Sequence, residues 1–377
     1  MRSLVAVNVL DAFIGGAYLI AIPLLLVERK IDIATIGLVF SAFPVVFVTS
    51  RMLFASAADS VGLRKFFNVN AFGNLASVVL YAISSSPFSY SIAKAAQGVK
   101  ESSLWAVNRN AVYEMTNSET PHMVTSTVLF VRSLAIALGA IVSGFVIQLI
   151  GFQWLFLLLA ILSVLILIPA RTLDIGQKKR LTIKALFGKL DPTSVDRVIW
   201  KTSLVMSFYV VASTLVVSFV LPIFLNSRGL GYWEIGMIFA LYTGVGAFLL
   251  PVTLRRMPSV KIIVLIQCLL YLPAVVLIPI SEGWYMIVMV VAMAFGDSTS
   301  YMIWEWLTSQ TVRGCRNIAT SIGFLYAPSN LIMIPSFVFA GILVEKFGYV
   351  APFWVSAVFF SLYSLTAWRL LKSQGQE

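Results

Sequence analysis

Charge, histidine and cysteine are all scarce in this chain of 377 residues: 11% is charged, one residue is histidine and two are cysteine. Soluble domains are about half apolar and about one quarter charged, whereas this chain is 59% apolar with a mean hydropathy of +0.93. A soluble fold of this size could not cover so much hydrocarbon, so the surplus must face lipid. Cys268 in an apolar run and Cys315 in a basic loop form neither a disulfide framework nor a metal-ligand spacing. There is no nucleotide-binding motif, no cluster of histidine with acids and no nucleophile constellation. The expectation is a protein that is not an enzyme and needs no cofactor or metal. Acids are fewer than bases, for a net charge of +11. The basic residues nevertheless fall in short segments between apolar runs, not along a binding stripe, and nucleic acid is excluded as a partner.

Long apolar runs are what the chain has instead. A helix rises 1.5 Å per residue, so crossing the hydrocarbon takes about 20 residues. Twelve runs qualify, at 3–27, 34–56, 66–84, 88–112, 123–149, 152–170, 200–225, 233–254, 260–280, 284–311, 316–344 and 350–371. The first has no small-x-small cleavage site before Pro23 and reads as a spanning helix, not a secretory signal. Lipid offers no partner to an unpaired amide, so the runs must be helical. Pro23, Pro44, Pro222, Pro273, Pro328 and Pro335 inside them are expected as kinks.

Lysine and arginine set the orientation. With the N-terminus inside, 19 of them lie in inner segments, including Arg2, Arg64, Lys65, Lys178, Lys179, Arg180, Arg255, Arg256 and Lys372. Only Arg29, Lys30, Arg228 and Lys346 lie outside. Both ends are therefore expected in the cytoplasm of a multi-pass cell-membrane protein. Trp154, Trp233 and Trp284 open runs at the outer interface, and Trp200 and Trp368 mark the inner one. The organisation expected is a six-helix half over 1–170, a connection over 171–199 and a second half over 200–377. Within the connection Leu181, Ile183, Leu186, Phe187 and Leu190 approximate an apolar stripe among lysines, which suits either a helix lying on the inner leaflet or an unstructured tether.

Punctuation at a constant offset tests whether the halves are copies. Pro23 and Gly37 recur as Pro222 and Gly236, and Trp105 recurs as Trp304, each 199 residues later. Gly144, Gly151 and Phe156 recur as Gly341, Gly348 and Phe353, each 197 later. Four runs agreeing within two residues indicate duplication.

Between the second and third runs the chain reads Ala55-Ser56-Ala57-Ala58-Asp59-Ser60-Val61-Gly62-Leu63-Arg64-Lys65, and the fourth contains Lys94-Ala95-Ala96-Gln97-Gly98. With the duplication, these segments make the chain similar to a major facilitator superfamily transporter over essentially its whole length. That family carries Gly-x-x-x-Asp-Arg/Lys-x-Gly-x-Arg/Lys-Arg/Lys in the first segment, where Asp59, Gly62, Arg64 and Lys65 match and Ala55 and Ser60 do not. It carries Arg-x-x-Gln-Gly in the second, where lysine stands for arginine. The resemblance implies an all-helical membrane fold of two pseudo-symmetric six-helix bundles, with helices 1, 4, 7 and 10 lining a central cavity. It also implies that Asp59 caps the N-terminus of helix 11, near Asn317, as a latch on the cytoplasmic side, with Gly62, Arg64 and Lys65 beside it. The Gly-Pro signature of drug antiporters is missing from helix 5, which reads Gly139-Ala140-Ile141-Val142-Ser143-Gly144.

Ionisable groups at membrane depth are costly and are functional candidates by default. The deep acids are Asp11, Glu101, Asp297 and Glu305; the deep bases are Arg51, Lys94, Lys100 and Arg132. Helical spacing places Asn8, Asp11, Gly15 and Tyr18 on one stripe of helix 1. It does the same for Lys94, Gln97, Glu101, Trp105 and Asn108 on helix 4, and for Asp297, Tyr301, Glu305 and Thr308 on helix 10. These stripes form either a wet, selective path or ion pairs that lock helices together. Trp105 and Trp304 either fill the core or stack on substrate. Arg132 serves an anionic group or pairs with an acid. An acid whose cationic partner moves away as the halves rock changes its hold on a proton, so Asp11, competing for Lys94 or Lys100, is a coupling candidate, with Glu101 as the alternative.

The function expected is secondary active transport of a small organic solute by alternating access. It would be coupled to protons by symport or antiport and carried out by a monomer in the lipid bilayer. Drug or metabolite efflux, nutrient uptake and facilitated diffusion remain open within that reading; the competing class is a non-transporting sensor or scaffold on a transporter frame. The orientation is testable once Cys268 and Cys315 are replaced by serine. Lys346→Cys should then react with an impermeant maleimide added to intact cells, and Lys184→Cys only after permeabilisation. The reverse pattern would overturn the orientation.

Overall fold

The computed structural model describes residues 1–115, 121–173, 196–255, 259–312 and 318–373, with side chains left out at 55–56, 58–61, 109–110, 113–114, 121–126, 250–255, 260, 318–320 and 373. The described residues form helices and no strands, in the order expected. The first half contains α1 (Arg2–Glu28), α2 (Ile33–Val61), α3 (Arg64–Ile83), α4 (Pro87–Met115), α5 (Pro121–Ile150) and α6 (Phe152–Arg171). The second contains α7a (Arg197–Val216), α7b (Val220–Ser227), α8 (Tyr232–Arg255), α9 (Val260–Leu277), α10 (Gly283–Val312), α11a (Ile318–Leu331), α11b (Met333–Phe347) and α12 (Val350–Ser373). The stripe at 181–190 lies outside the described residues.

Two helices are interrupted, each where proline removes an amide donor. Pro222 cannot donate to the carbonyl of Ser218, and the chain leaves helical geometry over 217–219. Pro335 likewise leaves Leu331 without its donor at the α11a–α11b break. Pro23, Pro44 and Pro273 sit inside continuous helices. At the start of α2, Asp32 accepts the amide of Thr35 at 2.8 Å, and that bond holds its carboxyl below the ordinary carboxylate range.

Among the described residues, eleven helical spans are long and apolar enough to cross a membrane, counting each broken pair as one. The twelfth, α4, is 29 residues long but too polar to qualify. It is covered by its neighbours: α2 and α3 pack along it, as α8 and α9 pack along its repeat counterpart α10. The correspondence extends further. α1 packs on α5 and α6 as α7a packs on α11 and α12, and α3 packs on α6 as α9 on α12.

The halves meet through α5 on α8 and α2 on α11b, two contacts that the repeat exchanges. At each, glycine brings backbones together. A Cβ on Gly37 would lie 2.5 Å from the Phe337 carbonyl and 3.4 Å from the Gly341 Cα; one on Gly236 would lie 2.7 Å from the Ala140 carbonyl and 3.3 Å from the Gly144 Cα. Both crossings are near the end at which the chain turns through residues 29–32, here the distal end; Met1 and the start of α7a lie at the proximal end. Gly151 (φ 89) and Gly348 (φ 76) make the equivalent distal turns, in a conformation that side chains with a Cβ resist. Tyr232 donates to Glu28 Oε2 at 3.2 Å, and Trp233 N–H donates to Gln148 Oε1 at 2.8 Å across the same closure. At the proximal end, an open, apolar depression of about 520 Å³ runs along Met1, Arg2, Val5, Ala6, Val9 and Leu10 of α1.

Enlarging these glycines should force the distal closure apart. Gly236→Val is expected to cost about 1–3 kcal/mol, as overpacking does, and to raise thiol labelling of a cysteine placed at Gln148. Gly15→Ala, where a Cβ meets nothing within 4 Å, should do neither in the same thermal-unfolding and labelling assays.

Candidate functional site

The central helices carry their polar residues away from lipid. On α4 the exposed Phe88 and Ile92 mark the lipid side. At 100° per residue Lys94, Gln97, Glu101, Trp105 and Asn108 point the opposite way. On α10 the exposed Trp284, Val288 and Phe295 mark that side, with Asp297, Tyr301, Trp304 and Thr308 opposite and Glu305 at their edge. A Cβ built on Gly15 of α1, Gly244 of α8 or Gly323 of α11a meets nothing within 4 Å, so these helices border open space.

Four charges meet inside the first half. Asp11, fully enclosed on α1, accepts through Oδ1 from Lys100 Nζ at 3.1 Å, Asn70 Nδ2 at 2.9 Å and Asn74 Nδ2 at 3.1 Å. Its Oδ2 accepts from Nη1 and Nη2 of Arg132 on α5, each at 3.3 Å. Lys100, also fully enclosed, reaches Glu101 Oε1 at 2.6 Å. Glu101 Oε2 accepts from Trp105 Nε1 at 3.2 Å, and the Arg132 guanidinium stacks on the Trp105 ring at 5.1 Å. Arg132 Nη1 also donates to Asn8 Oδ1 at 2.9 Å, and Asn8 exchanges two hydrogen bonds with Asn108. Two acids and two bases therefore cancel in one network. Glu101, with its side chain 16% exposed, is the member at its open edge.

The α1 stripe thus turns into its own bundle, where Tyr18 continues it by bonding Ser77 of α3 at 2.9 Å. The sequence left Asp11 between Lys94 and Lys100; the structure places it with Lys100 and Arg132. Lys94 stands apart. It donates to Gln97 Oε1 at 3.1 Å, an atom that also accepts from Tyr81, and its ammonium lies 3.8 Å from the centroid of the Phe40 ring. Phe40 packs in turn on Phe219 at the α7 break and on Phe337 of α11b. No carboxylate among the described residues lies within ion-pair distance of Lys94.

The second half is organised differently. Asp297 Oδ1 accepts from Tyr209 at 2.9 Å, and among the described residues it has no cationic partner. Tyr209 packs on Trp304 and Tyr363, and Trp304 stacks on Tyr326, which bonds Thr308 at 2.9 Å. Arg51 lies over the rings of Phe47 and Tyr326, linking α2 to α11a. Tyr301 and Glu305 lie part-buried on the same face of α10.

Asn70, Asn74, Phe40 and Tyr209 were not singled out from the sequence. The asparagines carried a usable signal, two amides one turn apart at membrane depth; the aromatics carried none amid 27 phenylalanines and 13 tyrosines. Gly62 ends α2 and Arg64 and Lys65 open α3, part-exposed and exposed. The Asp59 side chain and residues 313–317, the parts of the expected latch, lie outside the described residues. Among the described residues, no group of three or more His, Cys, Asp or Glu could hold a metal ion.

Comparison with known proteins agrees with the helical fold. The sequence profile described as Major Facilitator Superfamily matches residues 4–314. No curated protein is similar to the chain in sequence. Among solved structures, a variant of the nucleoside transporter NupG superposes with a TM-score of 0.75 at 16% identity, covering 98% of each chain. The human organic anion transporter MFSD10 (TETRAN) gives 0.71 at 18% identity, covering 97% of this chain and 99% of its own. A bacterial homologue of the human lysosomal transporter Spinster, inward-facing and occupied, gives 0.70 at 13% identity over 98% and 96%.

Removing one partner of an enclosed ion network leaves the others uncompensated and costs about 3–5 kcal/mol. Asp11→Asn should destabilise the purified protein by that order in thermal or denaturant unfolding. Adding Lys100→Met should recover part of the loss. Strictly additive losses would show that the two charges do not interact.

Proposed function

The chain belongs to the Major Facilitator Superfamily, and we propose on that basis that it moves a small organic solute across the cell membrane by alternating access, coupled to protons through Glu101. Members of this family move small solutes across membranes. The coupling, the membrane and the cytoplasmic placement of both ends are our reading. The last rests on the 19-to-4 distribution of basic residues.

One observation carries the coupling: Glu101 shares Lys100 with the enclosed Asp11 and is the acid of that network with access to open space. A proton arriving at Glu101 breaks the charge balance of the quartet. It leaves Lys100 to Asp11 and releases the Trp105 indole from its acceptor. The net positive charge so created sits at the part-exposed edge of the network. Asp11, held by five hydrogen bonds, anchors Lys100 and Arg132 while Glu101 exchanges its proton.

The close packing of the halves at the distal end supports an alternating mechanism. The α2–α11b and α5–α8 crossings close the distal side and part when that side opens. A monomeric carrier is part of this reading. Asp59 is proposed to latch the proximal side to the start of α11a when that side closes.

Proteoliposomes under an imposed proton gradient, incubated in a defined mixture of small organic solutes, test the reading by mass spectrometry of what they retain. The wild type should accumulate at least one solute, and Glu101→Gln should equilibrate that solute without accumulating it. Undiminished accumulation by Glu101→Gln would remove Glu101 from the coupling. A wild type that retains nothing would refute transport.

A further inference from the structure

The compensated charges of the first half set off two that are not compensated, and these point to the chemistry of the solute. We propose that the transported solute is a zwitterion, its carboxylate held by Lys94 and its ammonium by Asp297 and the aromatic rings around it; this rests on the chain being a transporter.

Lys94 and Asp297 are opposite in sign, lie in opposite halves and occupy equivalent helices. The offset that maps Trp105 onto Trp304 maps Lys94 onto Met293, one turn from Asp297. The two charges therefore differ in depth by about 6 Å, four residues at 1.5 Å each. Both lie on the side of their helix opposite the lipid-exposed face. Neither lies within ion-pair distance of the other, nor of any described residue of opposite charge. A buried charge without a counter-ion costs several kcal/mol. A solute that brings one group of each sign relieves both at once, whereas an anion or a cation alone relieves one and leaves the other.

The surroundings of each charge match the group assigned to it. The Lys94 ammonium is turned over the Phe40 ring with one amide acceptor, Gln97 Oε1. An ammonium so arranged has a donor left for a carboxylate. Asp297 sits beside Tyr209, whose ring contacts Trp304 and Tyr363. Aromatic faces near a carboxylate attract an ammonium by the same quadrupole that forms aromatic cages. The repeat sharpens the contrast. The Trp105 indole donates to Glu101, whereas its counterpart Trp304 is part-exposed and makes no hydrogen bond through its indole among the described residues. Trp304 therefore keeps its indole donor for the solute, with its ring packed on Tyr209 and Tyr326.

The test compares three probes of one length: 5-aminopentanoate, pentanoate and pentylammonium. A dipeptide, diglycine, adds a zwitterion with a polar spacer. Binding to the full-length protein is measured in detergent by thermal shift and calorimetry. At least one zwitterion should bind at least about tenfold more tightly than both single-charge probes. Lys94→Gln and Asp297→Asn should each lose about tenfold or more, and Lys94→Arg should retain affinity. Unliganded melting of each variant reports whether it is folded, and the charge-retaining Lys94→Arg keeps the test valid if Lys94→Gln is not. Equal binding of pentanoate or pentylammonium, or no binding of either zwitterion, would overturn the proposal. Counterflow of the bound zwitterion in proteoliposomes is read separately. Binding without counterflow would refute transport and leave the zwitterion site standing.

Discussion

A charged side chain in hydrocarbon must be neutralised by a neighbour or left facing water, and the architecture of this protein follows from how it distributes those two solutions. In the first half, Asp11, Lys100, Glu101 and Arg132 neutralise one another, and Asn8, Asn70 and Asn74 supply hydrogen bonds to the remaining positions. This network explains how α4, too polar to qualify as a span by composition, sits within a bundle of apolar helices. Its charge is buried against α1, α3 and α5 and faces no lipid. Lys94, enclosed, and Asp297, part-buried, follow neither course: among the described residues they have no partner within ion-pair distance, and they sit on the faces of α4 and α10 turned away from lipid.

The interface between the halves is built on shape, not charge. Gly37 meets the α11b backbone at Gly341, and Gly144 meets the α8 backbone at Gly236. Phe40, Phe219 and Phe337 fill the space beside the first crossing. A contact of this kind can slide or tilt without separating buried charges, which a carrier that alternates needs. The breaks in α7 and α11, both at proline-depleted hydrogen bonds, lie beside this closure and give it local freedom that unbroken helices lack. Lys94 touches the closure directly through Phe40, so a solute that engages Lys94 also engages the contact that shuts the distal end.

Much of this is legible in the amino-acid sequence. Twelve apolar runs and their punctuation predicted the helices and the duplication, because lipid leaves the backbone almost no alternative. The glycines at the 199- and 197-residue offsets were recognisable as copies. Their pairing across the interface was not, since an offset relates equivalent positions and says nothing of which surfaces touch. The charged positions were legible for the same reason that they are costly. Their partners were less so. Lys94 and Lys100 are six residues apart, about 120° round the helix, and only the rotation of α4 against α1 decides which one meets Asp11. Arg132 reaches Asp11 from more than 100 residues away through the packing of α5 on α1, a relation no local pattern encodes. The aromatic wall around Asp297 was hidden because tyrosine and phenylalanine in an apolar run look alike whether they face lipid, core or cavity.

Sites built for a ligand are held at a cost in stability that the empty protein bears. Comparing the unliganded unfolding of Lys94→Gln and Asp297→Asn with the parent protein tests the division of charges most directly. If these two charges are uncompensated and kept for a solute, neutralising either one should leave the melting temperature unchanged or raise it. A fall in both variants as large as that caused by breaking the Asp11 network would mean that Lys94 and Asp297 stabilise the empty fold, and would contradict the account.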